Sequence, residues 1–289
     1  MTNKMNDSTK IAVTVSVILL FVIIFAATVL VIGSGIDFSD VQTMTGNKIA
    51  IVPVKGMITF GGCGGSLLTG SLACASVEQV KSLIEQADND PSVSAIFLDV
   101  NSGGGSVVAS RELMRAVKRA EKPTITWIGE VGASGAYYVA SASDYVMADA
   151  DSVTGSIGVI TTMYHYYELM DELGVNVTVV KAGNTKDIGS PYRPMSEQER
   201  QEFEDMVDGI YVDFVSDVAE NRNMSYAYAL NLSGGKIYLG KEAVELGLID
   251  EVSGRHEAIL RAGEIAGIKG EPRLLERERK KTVWDILFN

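Results

Sequence analysis

The chain has 289 residues, 46% of them apolar and 21% charged, a composition that excludes a disordered chain and fits one or two domains with packed cores. Lys and Arg number 25 against 37 Asp and Glu, a formal charge of -12, and so acidic a body excludes nucleic acid as a partner because it repels phosphate backbones. Two Cys and two His are too few for a four-ligand Cys/His zinc module.

Residues 11–33, IAVTVSVILLFVIIFAATVLVIG, carry no charge. At 1.5 Å per residue they reach about 34 Å, enough to cross a hydrocarbon core of about 30 Å. The run is longer than a signal-peptide core and ends without a clear A-x-A site, so it reads as a retained anchor. Lys4 and Lys10 precede it, while Asp37 and Asp40 follow. That asymmetry predicts residues 1–10 as a cytoplasmic tail and everything from about residue 34 on the outer face of a cell membrane. Without residues 1–33 the chain keeps 23 basic and 36 acidic side chains, so the acidity belongs to the outer part. Cys63 and Cys74 then lie in an oxidising compartment; the sequence leaves open whether they are bridged.

A linker, 34–46, leads to KIAIVPV (48–54), which has strand length and β-branched content. Glycines crowd residues 61–70, a loop ahead of Ser76, Val77 and Glu78 and of a capped, apolar-periodic helix over 80–87. SAIFLDV (94–100) reads as a strand, NSGGGS (101–106) as a tight turn, and 107–117 as a helix. PTITWIG opens another strand at Pro123, followed by helix 133–142, strands DYVMAD and GSIGVIT, helix 164–173 and strand VNVTVV. Repeated strand-then-helix units predict a layered α/β domain with a largely parallel sheet. From Ser196, Phe203, Met206, Ile210, Phe214 and Val218 form one stripe of a long helix, and Ser196 with Glu199 forms a capping box. KEAVELG reads as a further helix before LIDEV, and ERERKKTVWDILFN closes the chain with a charge block and an apolar tail.

Ser134, in EVGASGAYYVA, sits where a strand gives way through small residues to a helix. There its hydroxyl would stand beside unpaired first-turn amides, which favour a developing oxyanion. Gly132, Ala133, Ser134, Gly135 and Ala136 do not form the G-x-S-x-G elbow, and plain packing or capping is the other reading. The turn 101–106 also ends a strand, where open α/β sheets bind ligands, and Gly104 and Gly105 can offer amides. It lacks the lysine and hydroxyl of a phosphate loop. A nucleophilic serine needs a base: His165 and His256 are the two histidines, and Lys186, in a glycine-punctuated loop, is the other candidate. A lysine at its reference pKa of about 10.4 is neutral in about one molecule in 2,500 at pH 7, so a base of this kind needs a dry site. Asp187 would oppose that if it faced inward, so it is expected to point away.

NSGGGSVVAS, KPTITWIGEVGASGAYYVASASDYVMAD, TGSIGVI, GNTKDIGSPYRPMSEQER and GGKIYLGKEAVELGLIDEV, in that order, resemble the signal peptide peptidase A family. The resemblance covers about residues 49–252 and implies a ClpP/crotonase-like protease domain over 47–254, with 255–289 as a C-terminal helix and tail. It implies Ser134 as acylating nucleophile, Lys186 as general base, Gly104 and Gly135 as oxyanion donors, and Ser156 as a support that orients the lysine. No metal or organic cofactor is implied. The implied substrates are remnant signal peptides and other small apolar peptides, and the implied partners are the membrane and further copies in a ring-like homo-oligomer. Two departures stand out: the family's Ser-Pro-Gly-Gly turn is Ser102, Gly103, Gly104, Gly105, and its Ser-Gly-Gly is Ser134, Gly135, Ala136. Competing readings are another Clp-like serine protease acting on a protein partner or using His165, and a non-enzymatic scaffold. A crotonase-type acyl-CoA enzyme is disfavoured by the anchor and the outer acidic domain.

Overall fold

The computed structural model describes residues 19–25, 47–61 and 74–276. The chain divides into two units, 1–45 and 46–289. Of the first, residues 19–25 are helical with exposed side chains; the remainder of the predicted anchor lies outside the described residues. Among the described residues no helix is long and apolar enough to cross a membrane.

The second unit is built on a sheet whose strands are β1 (Lys48–Lys55), β4 (Val93–Ser102), β5 (Thr124–Ala133), β6 (Tyr145–Ala148), β7 (Val153–Gly155), β8 (Ile237–Leu239), β9 (Glu251–Val252) and β10 (Arg273–Glu276). Their order is β10-β1-β4-β5-β6-β9, with every neighbour parallel. β5 is longer than β6: Ile125 to Ile128 pair with β6, while Val131 to Ala133 leave it for β7. β8 then adds antiparallel to β7. Ser152 Oγ marks the division by donating to the carbonyls of Ile128, at 3.0 Å, and Gly129. A small parallel pair, β2 (Met57–Thr59) and β3 (Cys74–Ser76), stands apart.

Helices cover both faces, which is why β4 is an almost unbroken buried run. On one face Ala50, Val52, Val54, Ile96, Leu98 and Val100 pack with α1 (Val77–Asp88), α2 (Val107–Lys118), α3 (Gly135–Ser141) and the second half of α5 (Glu197–Asn221). On the other, Ile49, Ile51, Ala95, Phe97, Ile125 and Met147 meet Ala258, Ile259 and Ala262 of α8 (Arg255–Ile265). The period-two alternation along β1 and β4 divides their side chains between the two cores. The remaining helices are α4 (Tyr167–Glu172), α6 (Tyr226–Leu232) and α7 (Gly240–Glu245). α8 and β10 belong to this same layered unit, β10 forming its edge beside β1.

Four sequence expectations need correction. VNVTVV is not a strand: residues 175–180 are exposed and irregular, because no neighbouring strand offers them a ladder. GSIGVIT keeps only Gly155 in β7, and the helix expected over 164–173 shrinks to α4. The stripe on α5 is buried only from Phe214 onward, while Met206 is 49% exposed. Its capping box is present as expected. Cys74 is disulfide-bonded; Cys63, the chain's other cysteine, lies outside the described residues.

Candidate active site

β5 passes into α3 through one residue, Ser134, held at φ 53° and ψ −126°. A side chain in that region costs of order 1–3 kcal/mol, so the surroundings must enforce it. They do so through two backbone bonds: the Ser134 N–H donates to the Gly155 carbonyl at 2.8 Å, and its carbonyl accepts from Tyr138 N–H at 2.9 Å. Although Ser134 occupies the N-cap position, its hydroxyl makes no capping bond. The first-turn amide of Gly135 has no intrahelical acceptor, as at any helix start. Gly135 also has no room for a side chain, since a Cβ there would lie 2.2 Å from Ser110 Oγ.

The turn after β4 closes over this point. Gly104 has φ +95°, and a Cβ on it would meet the Gly135 nitrogen at 2.6 Å and Ser134 Cβ at 3.1 Å. β2 clips the turn in place: Ile58 N–H donates to the Gly104 carbonyl and Ser106 N–H to the Ile58 carbonyl, both at 3.0 Å. The Gly104 amide, however, donates back to Ser102 Oγ at 3.1 Å, and Ser102 Oγ donates to the Gly56 carbonyl at 2.6 Å. The Gly105 amide takes no part in that clip and lies 3.2 Å from where a Gly135 Cβ would stand. Of the two turn glycines, Gly104 thus has its amide engaged by Ser102, while the Gly105 amide stands outside these bonds.

Ser156 follows Gly155, which pairs with Ala133. It too has a positive φ, 50°, and its N–H is held by the Lys236 carbonyl at 2.7 Å. Thr154 Oγ1 donates to the Gly132 carbonyl at 2.8 Å, so β7 is tied to the Ser134 turn by side chain and backbone. Beneath the turn, the Tyr138 hydroxyl donates to Asp217 of α5 beside Arg111 of α2, which pairs with Asp213 at 3.0 Å. Burial, and then the Asp217 carboxylate, push the Tyr138 hydroxyl well above the ordinary tyrosine range.

Lys186 shares none of these bonds. It occupies an exposed turn within residues 182–189, and among the described residues no hydrogen bond joins it to Ser134. Its neighbour Asp187 is engaged by Lys181 and, at 2.9 Å, by Arg193 Nε, as expected of a carboxylate turned from the amine. Hydrogen bonds from Arg193 and then Lys181 hold Asp187 far below the usual carboxylate range. Arg193 and the Ser196 amide lower Glu199 to about 2. His165 and His256 are exposed, His165 set edge-on to Tyr167 with ring centroids 6.1 Å apart. One chain thus unites Ser134, Gly135, Gly104 and the approach to Ser156, and among the described residues no hydrogen bond ties Lys186 to them.

The description "Peptidase family S49" matches residues 116–269. A candidate protease of Methanocaldococcus jannaschii is 42% identical over 196 residues, 67% of this chain and 63% of that protein. A candidate signal peptide peptidase SppA of Enterococcus faecium is 36% identical over 61% of this chain and 52% of its own. Protease 4 of Haemophilus influenzae is 30% identical over 76% of this chain and 35% of its own. The chain therefore spans less than two thirds of each of these relatives. Among solved structures, a mutant of the 1510-N membrane-bound stomatin-specific protease superposes with a TM-score of 0.55 at 13% identity, covering 81% of this chain and 99% of that one. At that identity the likeness is one of fold: a layered α/β unit around a central sheet.

Proposed function

This chain belongs to peptidase family S49, and from that premise we propose that it is a membrane-anchored serine endopeptidase working with a Ser/Lys dyad. The observation that carries the reading is Ser134: a serine strained at a strand-to-helix turn, with its hydroxyl not spent on capping and the Gly104 turn closed against it. In the proposed reaction Ser134 Oγ attacks the scissile carbonyl while the Lys186 amine takes its proton. The tetrahedral oxyanion is held by the Gly135 amide together with that of Gly105, each donor contributing about 3–4 kcal/mol where such donors have been removed singly. The lysine then returns the proton to the leaving amine, and water cleaves the acyl-enzyme in a second cycle.

Since Lys186 makes no bond to Ser134 within one chain, the reading includes completion of the dyad between copies in a ring-like homo-oligomer. Support comes from the segment between β7 and α5. There Val175, Val177 and Val179 alternate with polar residues yet stand exposed, Ile160 is 88% exposed and Val180 is 95% exposed. Alternating strand chemistry without a partner strand suits pairing with a second copy. The apolar run 11–33 supports anchorage with the catalytic unit on the outer face. Substrates are proposed to be remnant signal peptides and similar small apolar peptides, in line with the names of the relatives. A scaffold of the same fold is the second reading, favoured by the absence, among the described residues, of a hydrogen bond between Lys186 and Ser134.

The test is hydrolysis of fluorogenic and signal-peptide substrates by the full-length protein, Ser134→Ala and Lys186→Ala. Cleavage lost in both variants supports the dyad. Survival of activity in Lys186→Ala removes it, and no turnover by intact wild-type oligomer favours the scaffold.

A further inference from the structure

The loop bearing Lys186 is tied down by one arginine. Arg193 Nε donates to the Asp187 carboxylate at 2.9 Å, Nη1 donates to Glu199 at 2.8 Å and to the Pro194 carbonyl at 3.0 Å, and Nη2 donates to Glu199 and, at 3.2 Å, to the Asp187 carbonyl. These bonds match the five N–H groups of a guanidinium, so its donor capacity is filled by this one loop and the helix it abuts. Glu199 is the residue that closes the capping box on α5, accepting from the Ser196 amide at 2.9 Å. A continuous chain of bonds therefore runs from the residue next to Lys186 into the first turn of a 25-residue helix. Lys181 Nζ completes the far side, reaching Asp187 and, at 2.8 Å, the Asn184 carbonyl.

We propose that Arg193 is a positioning residue for Lys186: it clamps the loop carrying that amine to the N-terminus of α5 and holds the Asp187 carboxylate off it. The inference rests on Lys186 being the general base. Isolated surface ion pairs contribute little, but a planar fork that bridges two carboxylates and two carbonyls fixes geometry as a single ammonium cannot. Uncompensated, Asp187 would stabilise the protonated lysine next to it and hold back the base. The charged groups on the elements packed here are Lys181, Asp187 and Arg193 on the loop, and Glu197, Glu199 and Arg200 on α5, where Glu197 and Arg200 pair with each other. On the segment around α4, joined to the loop by Tyr166 N–H to the Pro191 carbonyl at 2.7 Å, they are His165, Glu168, Asp171 and Glu172.

The experiment is a set of pH–rate profiles of the full-length protein on a fluorogenic peptide, for wild type, Arg193→Gln, Arg193→Lys, Asp187→Asn and Lys186→Ala. Arg193→Gln should lower kcat about tenfold or more with KM within about twofold, and should raise the midpoint of the acid limb by roughly half a pH unit. Asp187→Asn should move that midpoint down, a reversal of sign that mere loosening of the loop does not produce. Arg193→Lys should recover little, having three donors for five acceptors. If Arg193→Gln does not fold, Lys181→Gln, which removes the other cation on Asp187, must raise the midpoint in its place. Wild-type kcat and midpoint in Arg193→Gln, or shifts of one sign in the Asp187 and Arg193 variants, would overturn the clamp while an inactive Lys186→Ala left the dyad standing. An active Lys186→Ala would instead remove the dyad.

Discussion

Ser134 holds a conformation that glycine adopts more readily than serine, with φ 53° and ψ −126°. Replacing it by Gly should relieve about 1–3 kcal/mol of strain against about 0.5–1 kcal/mol of added chain entropy. The expected result is a thermal midpoint about 2–4 °C higher, with hydrolysis abolished; Ser134→Ala should abolish hydrolysis without that rise. A calorimetric scan of both variants checks this. Gly105 offers the complementary test, because a Cβ there would stand 2.1 Å from the Ile58 carbonyl oxygen. Gly105→Ala must therefore push β2 and the turn apart, and kcat should fall about 100-fold or more, as when an oxyanion donor is lost. The strand-to-helix turn at Ser134 was legible from its neighbours, small residues between a strand and a helix. That Ser102 Oγ occupies the Gly104 N–H was not, since three consecutive glycines carry no local signal of which N–H the turn takes.

α5 meets both halves of the proposed dyad. Its first turn receives Arg193, and Asp217 near its end receives the Tyr138 hydroxyl from the helix that starts at Ser134. Tyr138→Phe leaves Asp217 without that donor and should cost about 1–3 kcal/mol. A denaturation curve and kcat measured together check whether the loss also reaches the nucleophile turn, where kcat should fall. At the other end, the Glu199 carboxyl titrates at about 2 when folded against an ordinary 4.5. Its stabilising contribution is thus fully present above about pH 4.5 and is lost as pH falls toward 2. Limited acid proteolysis of the loop should show wild type becoming susceptible across that window, whereas Glu199→Gln should be susceptible at neutral pH and change little below it. The capping box was visible as Ser196 and Glu199 at the right spacing. Arg193 was not, because an arginine six residues ahead of a helical glutamate has no local signature.

The molecule as a whole presents a two-cored layered unit and, beside it, an exposed apolar segment between β7 and α5. Val177→Asp should leave the fold of the sheet unchanged while shifting the sedimentation profile toward monomer and abolishing hydrolysis. Mixing inactive Ser134→Ala with inactive Lys186→Ala under exchange of copies should restore part of the activity if the base of one copy serves the serine of another. No recovery, with mixed oligomers demonstrated, would confine the dyad to one chain.

Sequence alone determined the α/β class, the order of most strands and helices, and the strand-to-helix turn at Ser134. Each is written in local periodicity or in small residues at a strand end, which short-range sterics translate directly into structure. Only the tertiary structure decided that β5 divides between β6 and β7, that Gly104 spends its amide on Ser102, and that VNVTVV stays outside the sheet. Those outcomes depend on which groups distant in sequence compete for the same hydrogen bonds, and a strand without a neighbour is no strand, whatever its residues favour.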